Sequence, residues 1–189
     1  AAWSAGGRTA GTAGDVNGDG YDDLAVGDDS FTNGQYHEGG VFVYHGSPSG
    51  LPAEPNWMAE SDQADARFGQ VVGTAGDMNG DGYDDVLVGT PWFDNGEEDV
   101  GAVFVYYGSS SGLARDPHWT AESDKTDSSF GSSAAAAGDV NGDGYDDVLV
   151  GAPLYYNGEF SLGCAYLFLG PVPVITDHQW SAGGETAGD

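Results

Sequence analysis

Short apolar runs alternate with polar, glycine-rich segments along the chain. One run recurs three times, as "GVFVYHG" at 40–46, "GAVFVYYG" at 101–108 and "CAYLFLG" at 164–170. A shorter one precedes each of them, as "DLAVG" at 23–27 and as "DVLVG" at 85–89 and 147–151. Runs of this length, rich in Val, Tyr and Phe and bounded by Gly and Asp, predict β-strands. No segment carries the 3.6-residue apolar period of an amphipathic helix, so we predict an all-β fold.

The pattern repeats with a fixed period. Asp15, Asp77 and Asp139 are spaced 62 residues apart, and the Asn-Gly pairs that begin at Asn33 and Asn95 follow the same step. A period of this length is typical of solenoids, propellers and arrays. In these architectures each unit needs its neighbours to bury its apolar faces.

Each unit is consistent with four antiparallel strands. A strand of small residues, such as "FGQVVGTAGD" at 68–77, enters an acidic loop, and a second strand leaves it. Asn-Gly, a strong hairpin signal, precedes the apolar third strand, and a short strand around a Trp completes the unit. The third strand is apolar on both faces, which indicates that both are covered, as in the blades of a β-propeller. We therefore predict three propeller-type blades, in a ring that is incomplete or open unless other chains or further sequence complete it.

The whole of 1–189 is predicted to be a single repeat region. Both of its ends carry "WSAGG", at 3–7 and at 180–184. The predicted divisions are 1–7 as the last strand of a preceding blade, 8–61 as blade 1, 62–123 as blade 2, 124–184 as blade 3, and 185–189 as the start of a next repeat. Known propellers close with about four to eight blades. Either the chain is a window of a longer polypeptide, or copies of it join.

The acidic loop carries the candidate chemistry. Its first copy, "DVNGDGYDD" at 15–23, places oxygen-bearing residues at alternate positions, where they can converge on one point. Such hard donors suit Ca²⁺, with Mg²⁺ second, and the lack of His and Cys disfavours soft metals. Each Tyr would offer its backbone carbonyl. The predicted ligands of about three Ca²⁺ sites are Asp15, Asn17, Asp19, Tyr21, Asp23, Asp77, Asn79, Asp81, Tyr83, Asp85, Asp139, Asn141, Asp143, Tyr145 and Asp147.

Two competing interpretations of this loop are weaker. Asn and Gly also favour a tight turn that binds no metal ion. In that case each of the three copies would hold three carboxylates close together with no cation between them. An EF-hand needs flanking helices and a Glu at position 12, where this chain has Val26, Val88 and Val150.

Composition excludes several classes of function. The chain has 31 Asp and Glu against 4 Lys and Arg, a formal net charge of −27, which disfavours nucleic acid and anionic membranes as partners. No apolar stretch approaches the roughly 18 residues of a membrane span, so no insertion is expected.

The run 108–112, "GSSSG", formally matches a nucleophile elbow. Its counterpart at 46–50 has Pro48 at the nucleophile position, so we predict no catalytic residue and no enzyme.

The motifs together resemble a known family. Phe130-Gly131, the loop at 139–147 and the run Gly151-Ala152-Pro153 are similar to the FG-GAP repeat of the integrin α-chain β-propeller and its relatives. The resemblance covers nearly the whole chain, although Gly6-Gly7 stands in place of Phe-Gly in the first unit. It implies Ca²⁺ between the first and second strands, an extracellular or cell-surface location, and adhesion or recognition through loops on the opposite face.

By the same resemblance, the recognition face holds the loops at 28–38, 92–100 and 154–162 and the links at 60–67 and 122–129. Six aromatic residues there could bind a protein or glycan ligand, or pack on a neighbouring blade: Phe31, Tyr36, Trp92, Phe93, Tyr155 and Tyr156. We predict a calcium-binding, non-catalytic adhesion or recognition module. Two alternatives remain: a self-assembling structural protein joined through incomplete blades to further copies of itself, and a lectin-like carbohydrate-binding module.

Overall fold

The computed structural model describes residues 3–156 and 162–171 in full and residues 180–183 as backbone. The Asn157-Gly158 loop and the next repeat predicted at 185–189 lie outside the described residues. Twelve strands form within this part of the chain. They are β1 (Thr9–Gly14), β2 (Asp23–Asp28), β3 (Gly40–Tyr44), β4 (Trp57–Glu60), β5 (Val71–Gly76), β6 (Asp85–Thr90), β7 (Ala102–Tyr106), β8 (Trp119–Glu122), β9 (Ser133–Gly138), β10 (Asp147–Ala152), β11 (Cys164–Phe168) and β12 (Trp180–Gly183).

The strands form three antiparallel sheets of four, each in chain order: β1 to β4, β5 to β8 and β9 to β12. We call these sheets blades 1, 2 and 3. Their first strands lie beside one another in the order β1, β5, β9. The described ranges contain no helix and no closed barrel. The prediction of an all-β fold built from four-stranded antiparallel blades is confirmed.

Apolar cores fill the spaces between neighbouring blades. Between blades 1 and 2, side chains such as Val41 and Val43 meet Val86 and Val88. Between blades 2 and 3, Leu87 and its neighbours on blade 2 meet the corresponding face of blade 3. Blade 2 is therefore covered on both faces, which explains why every residue of β6 is buried and why the sequence there is apolar without alternation.

The Phe-Gly signature is a contact between blades. A Cβ atom on Gly27 would lie 2.1 Å from the carbonyl oxygen of Gly69, and one on Gly89 would lie 2.2 Å from that of Gly131. Side chains do not fit at these distances, so the second strand of one blade needs Gly where the Phe-Gly segment of the next blade crosses it. Phe68 is itself buried beside Tyr106. The signature thus fixes how closely two blades pack.

A tryptophan also joins blade 1 to blade 2. The Trp57 indole N–H donates to the carbonyl of Ala114 at 2.8 Å, and its ring packs edge-on against Tyr106. Trp3 makes the equivalent contacts with blade 1, through the carbonyl of Pro52 at 2.7 Å and the ring of Tyr44. Residues 3–7 pair with no strand in the described part of the chain. The predicted divisions of the chain, including 1–7 as the last strand of a preceding blade, remain predictions.

Candidate metal centre

The three acidic loops, 15–22, 77–84 and 139–146, connect the first and second strands of each blade and share one edge of the molecule. We call it the acidic edge. A β-bulge introduces each loop: Thr12 pairs with Leu24, but the next pair is Gly14 with Asp23. Gly14 has a φ of 74°, a left-handed conformation that favours Gly. The bulge bends the strand and directs the chain into the loop.

The first Asp of each loop organises the turn. Asp15 Oδ1 accepts hydrogen bonds from the backbone N–H groups of Gly18 at 2.8 Å and Asp19 at 3.1 Å, and Oδ2 accepts one from Gly20 at 2.8 Å. The same bonds recur at Asp77 (2.7, 3.0 and 2.9 Å) and at Asp139 (2.6, 3.1 and 2.9 Å). N–H donors, that of Gly144 foremost, hold the pKa of Asp139 below its ordinary value.

The residues at loop positions 3 and 5 continue the turn. Asn17 Oδ1 accepts from the N–H of Asp19 at 2.9 Å, and Asp19 Oδ1 accepts from that of Tyr21 at 3.0 Å. In the second and third loops the Asn amide also donates to the position-5 carboxylate, at 3.1 Å from Asn79 and 2.8 Å from Asn141. These side chains therefore lie on one tight turn.

The Asp at position 9 has a structural role that the sequence did not reveal. The Asp85 carboxylate is fully buried and accepts from the N–H groups of Met78 at 3.0 Å and Gly108 at 2.9 Å. It thereby ties the loop to the segment after the third strand. Asp23 and Asp147 make the same pair of bonds. Burial raises the pKa of Asp85 to about 7, against the lowering effect of the two N–H donors.

Position 8 was not predicted to have a role. Asp84 Oδ2 accepts from the N–H of Asp15 in the preceding blade at 2.8 Å, and Asp146 Oδ2 accepts from that of Asp77 at 2.9 Å. Each loop is thus bonded to its neighbour. The sequence did contain a signal for this role, because "YDD" recurs in all three loops. Only its second Asp was assigned a role. The Tyr rings also bridge blades, since Tyr83 lies over Gly18.

The fit of the loops to a cation depends on their donor chemistry. The predicted ligands of each loop include three carboxylates and one amide oxygen, the hard donors that Ca²⁺ prefers. The described residues contain no group of three or more His, Cys, Asp or Glu side chains arranged to hold a metal ion. The carboxylates accept backbone N–H groups, as the contacts above show. Which loop residues bind a metal remains a prediction.

The aromatic candidates lie at the opposite edge, which we call the aromatic edge, and they divide into two groups. Phe31, Phe93 and Tyr155 each pack edge-on against a ring of the third strand of their own blade, with ring centroids 5.4, 5.4 and 6.1 Å apart. Tyr36, Trp92 and Tyr156 are exposed. Tyr36 stacks on His37, and the Arg67 guanidinium lies 5.3 Å from the Trp92 ring centroid.

Spacing separates these two groups in the sequence. The packed residues recur at the same position of each unit, 62 residues apart, whereas the exposed ones do not.

At the acidic edge, the "GSSSG" run that resembles a nucleophile elbow is a turn between β7 and β8. The Ser109 hydroxyl there donates to the carbonyl of Gly112 at 2.7 Å.

Four-stranded blades, each with an acidic loop between its first and second strands, define a protein of the β-propeller repeat class. Residues 7–44, 68–106 and 130–163 match the FG-GAP repeat, and the chain belongs to this family. The predicted resemblance is confirmed. The described residues include no helix long and apolar enough to cross a membrane.

The chain is similar to parts of larger proteins. It is 36% identical over 169 residues to phosphatidylinositol-glycan-specific phospholipase D of Bos taurus, covering 83% of this chain and 20% of that protein. It is 34% identical over 144 residues to integrin alpha-3 of Cricetulus griseus, covering 73% and 13%. The match to integrin alpha-PS2 of Drosophila melanogaster is also 34%, over 154 residues, covering 73% and 11%. The chain therefore spans a fifth or less of the length of these relatives.

Proposed function

We propose that this chain is a calcium-stabilised, non-catalytic module for adhesion or recognition outside the cell or at its surface. Similarity to integrin α chains supports the adhesion or recognition role and the location. The observation that carries the calcium proposal is the agreement among the three acidic loops. Each repeats the same hydrogen bonds around its first Asp, with oxygen donors at the same positions.

The proposed ligands in each loop are the side chains at positions 1, 3, 5 and 9 and the Tyr carbonyl at position 7. Calcium would supply positive charge among carboxylates that otherwise repel one another, and so hold the hairpin of the first two strands. With three carboxylates per site, affinity in the range of extracellular modules, about 10⁻⁴ to 10⁻³ M, is expected.

Thermal unfolding with and without calcium tests this role. Because an ion that binds only the folded state stabilises it by mass action, the Tm should rise as calcium is increased and fall in excess chelator. The Asp81→Asn variant should weaken the response. Glu97→Gln, a change at an exposed acid of the aromatic edge, is the matched control and should leave it unaltered. An identical Tm in millimolar calcium and in chelator would reject the calcium role.

The recognition surface that we propose is the aromatic edge. Tyr36, Trp92 and Tyr156 expose aromatic area there, which suits a protein or glycan ligand because rings provide contact area at low entropic cost. A glycan array and a panel of extracellular matrix proteins provide the probes. Trp92→Ala should abolish the binding signal. Met58→Ala, a change at an exposed apolar residue of β4, is the control and should leave the signal intact. Binding that survives loss of all three rings would rule out this surface.

A further inference from the structure

Asn-Gly pairs lie at both edges of the blades. The chain has six of them, and five lie within the described residues. Two lie in the loops between the second and third strands, at the aromatic edge: Asn33-Gly34 and Asn95-Gly96. Three occupy positions 3 and 4 of the acidic loops: Asn17-Gly18, Asn79-Gly80 and Asn141-Gly142. The same dipeptide is therefore held in two different environments within one chain.

An Asn that is followed by Gly can lose its side-chain amide without an enzyme. The backbone nitrogen of the Gly gives its proton to water or hydroxide and attacks Cγ of the Asn. A bond from this nitrogen to Cγ forms, the bond from Cγ to Nδ2 breaks, and ammonia leaves with a proton from water. Water then opens the cyclic imide at either carbonyl, which gives aspartate or isoaspartate. Because Gly has no Cβ, its nitrogen approaches Cγ without hindrance, and Asn is accordingly a thermolabile residue.

The acidic loops restrain both reacting groups. The N–H of Gly80 donates to Asp77 Oδ1 at 2.7 Å, and Asn79 Oδ1 accepts from the N–H of Asp81 at 2.8 Å. The same two bonds recur in the first and third loops. The carboxylate beside the Gly N–H repels the negative charge that the nitrogen must gain, and the second bond fixes the Asn side chain. Both effects slow the closure of the imide ring.

At Asn95 the attacking nitrogen is not engaged. The N–H of Gly96 donates to no described residue, and both Asn95 and Gly96 are exposed. A Cβ atom on Gly96 would have nothing within 4 Å, so the space around the reacting atoms is open. The Asn95 amide donates to Oε2 of Glu122. Because that bond engages Nδ2 and not Cγ, it leaves the carbon open to attack.

Asn33 is an intermediate case. The N–H of Gly34 also donates to no described residue, but the residues on either side of it are held. Buried Glu38 accepts from the backbone N–H groups of both Asn33 and Gln35. In blade 2 the backbone N–H groups that flank Gly96 donate to no described residue. The loop of blade 2 can therefore reach the geometry of attack more easily than the loop of blade 1.

We propose that Asn95 is a site of spontaneous deamidation, at which the reaction is faster than at the other described Asn-Gly pairs. Asn33 comes next, and the Asn residues of the acidic loops come last. The order depends on whether the Gly N–H is engaged and on how firmly the adjoining backbone is held. Water is the co-reactant and the reaction needs no metal ion, so the site is independent of the calcium proposal.

The reaction changes the loop that carries Trp92. The Asn95 amide joins this loop to Glu122, at the end of β8. Deamidation replaces the donor by a carboxylate, so a hydrogen bond is lost and two like charges face each other. Where isoaspartate forms, the main chain also gains a methylene group. The deamidated loop is therefore held less firmly. An effect on ligand binding rests in addition on the recognition surface proposed above.

Peptide mass spectrometry of the 189-residue chain, sampled over time, tests the site. Each Asn-Gly pair is followed in the folded chain in millimolar calcium and in the chain unfolded by urea, and the ratio of the two rates measures its protection. Asn95 should react within about threefold of its rate in urea, whereas the acidic-loop residues should be slowed about tenfold or more. Asn33 should lie between them. Protection of Asn95 equal to that of Asn33 or Asn79 would overturn the proposal.

A variant and the product mixture test the route. Gly96→Ala places a side chain beside the attacking nitrogen and should slow the loss of the Asn95 amide about tenfold or more. Asn33 in the same sample is the control and should react at its usual rate. The products at Asn95 should include isoaspartate, since direct hydrolysis of the amide gives aspartate alone. Undiminished conversion in Gly96→Ala, or aspartate as the sole product, would overturn the ring-forming route.

Hydrogen exchange tests the effect on the loop. Asn95→Asp reproduces one product and should speed exchange of the N–H groups of Asp99 and Gly101, which bond within the loop, about three- to tenfold. Adding Glu122→Gln should restore slow exchange, because the new amide can donate to the new carboxylate. Asn33→Asp is the matched control in blade 1 and should leave both groups unaffected. Unaltered exchange in Asn95→Asp would overturn the effect on the loop, whatever ligand the surface binds.

Discussion

The two edges of the blades differ in how closely they repeat. At the acidic edge the three loops share their sequence and the same hydrogen bonds, with lengths that agree within 0.2 Å around the first Asp. At the aromatic edge, buried Glu38 accepts from the N–H of Gln35 in blade 1, whereas Asp94 accepts from that of Asp99 in blade 2. The comparison indicates that the acidic edge serves the fold, while the aromatic edge keeps its packed ring but differs between blades 1 and 2 in the carboxylates that hold the loop.

The largest expected effect is at the acidic edge. Asp85→Ala leaves the N–H groups of Met78 and Gly108 buried without an acceptor, which should cost about 2–4 kcal/mol of unfolding free energy. Glu97→Gln at the aromatic edge should change it by less than about 0.5 kcal/mol. Urea unfolding in excess chelator measures both without a metal contribution. Equal costs at the two edges would remove the distinction between them.

The next effect tests the contact between blades that lies near the aromatic edge. Gly89→Ala drives a Cβ atom into the backbone carbonyl of Gly131 and should cost about 1–3 kcal/mol. Gly151→Ala is the matched control, because its Cβ would meet only the Ser133 hydroxyl, at 2.3 Å, which can rotate away. Similar urea midpoints for the two variants would show that the blades can shift to accept a methyl group.

A smaller effect concerns the bond between neighbouring acidic loops. Asp84→Ala removes the acceptor of the Asp15 N–H and should cost about 1 kcal/mol. Asp22→Ala should cost less, because no N–H group among the described residues donates to the Asp22 carboxylate. The difference between the two chemical-unfolding free energies gives the value of the bond. If Asp22→Ala costs as much, position 8 acts within its own loop.

The smallest effect belongs to the exposed ring at the aromatic edge. Trp92→Ala should lower the unfolding free energy by about 0.5–1 kcal/mol, through loss of the Arg67 contact. Phe93→Ala should cost more, because its ring packs on Phe104. Chemical unfolding of both variants tests this order. The reverse order would assign Trp92 to the core, and the proposed recognition surface would lose its main anchor.

Much of the fold followed from the sequence because the repeat was nearly intact. The period defined the units, and apolar runs such as 101–108 located the third strands. That loop positions 1, 3 and 5 share one turn could be predicted from the sequence, because these residues are close along the chain. The hydrogen bonds from the Asp15 N–H to Asp84 and from the Gly108 N–H to Asp85 could not be predicted, since both depend on which distant segments the fold brings together.

The role of the aromatic residues shows the same limit. Phe31 and Phe93 follow the period and pack within their blades, whereas Trp92 and Tyr36 break it and are exposed. Recurrence along the chain is therefore the property that distinguishes a packed ring from an exposed one here.

The carboxylate at position 8 makes the acidic loops a linked series. Since Asp146 bonds to the start of the second loop and Asp84 to the start of the first, an ion that orders one loop also favours the folded form of its neighbour. Calcium entering the proposed sites would therefore bind cooperatively, with a steeper titration curve than three independent sites would give.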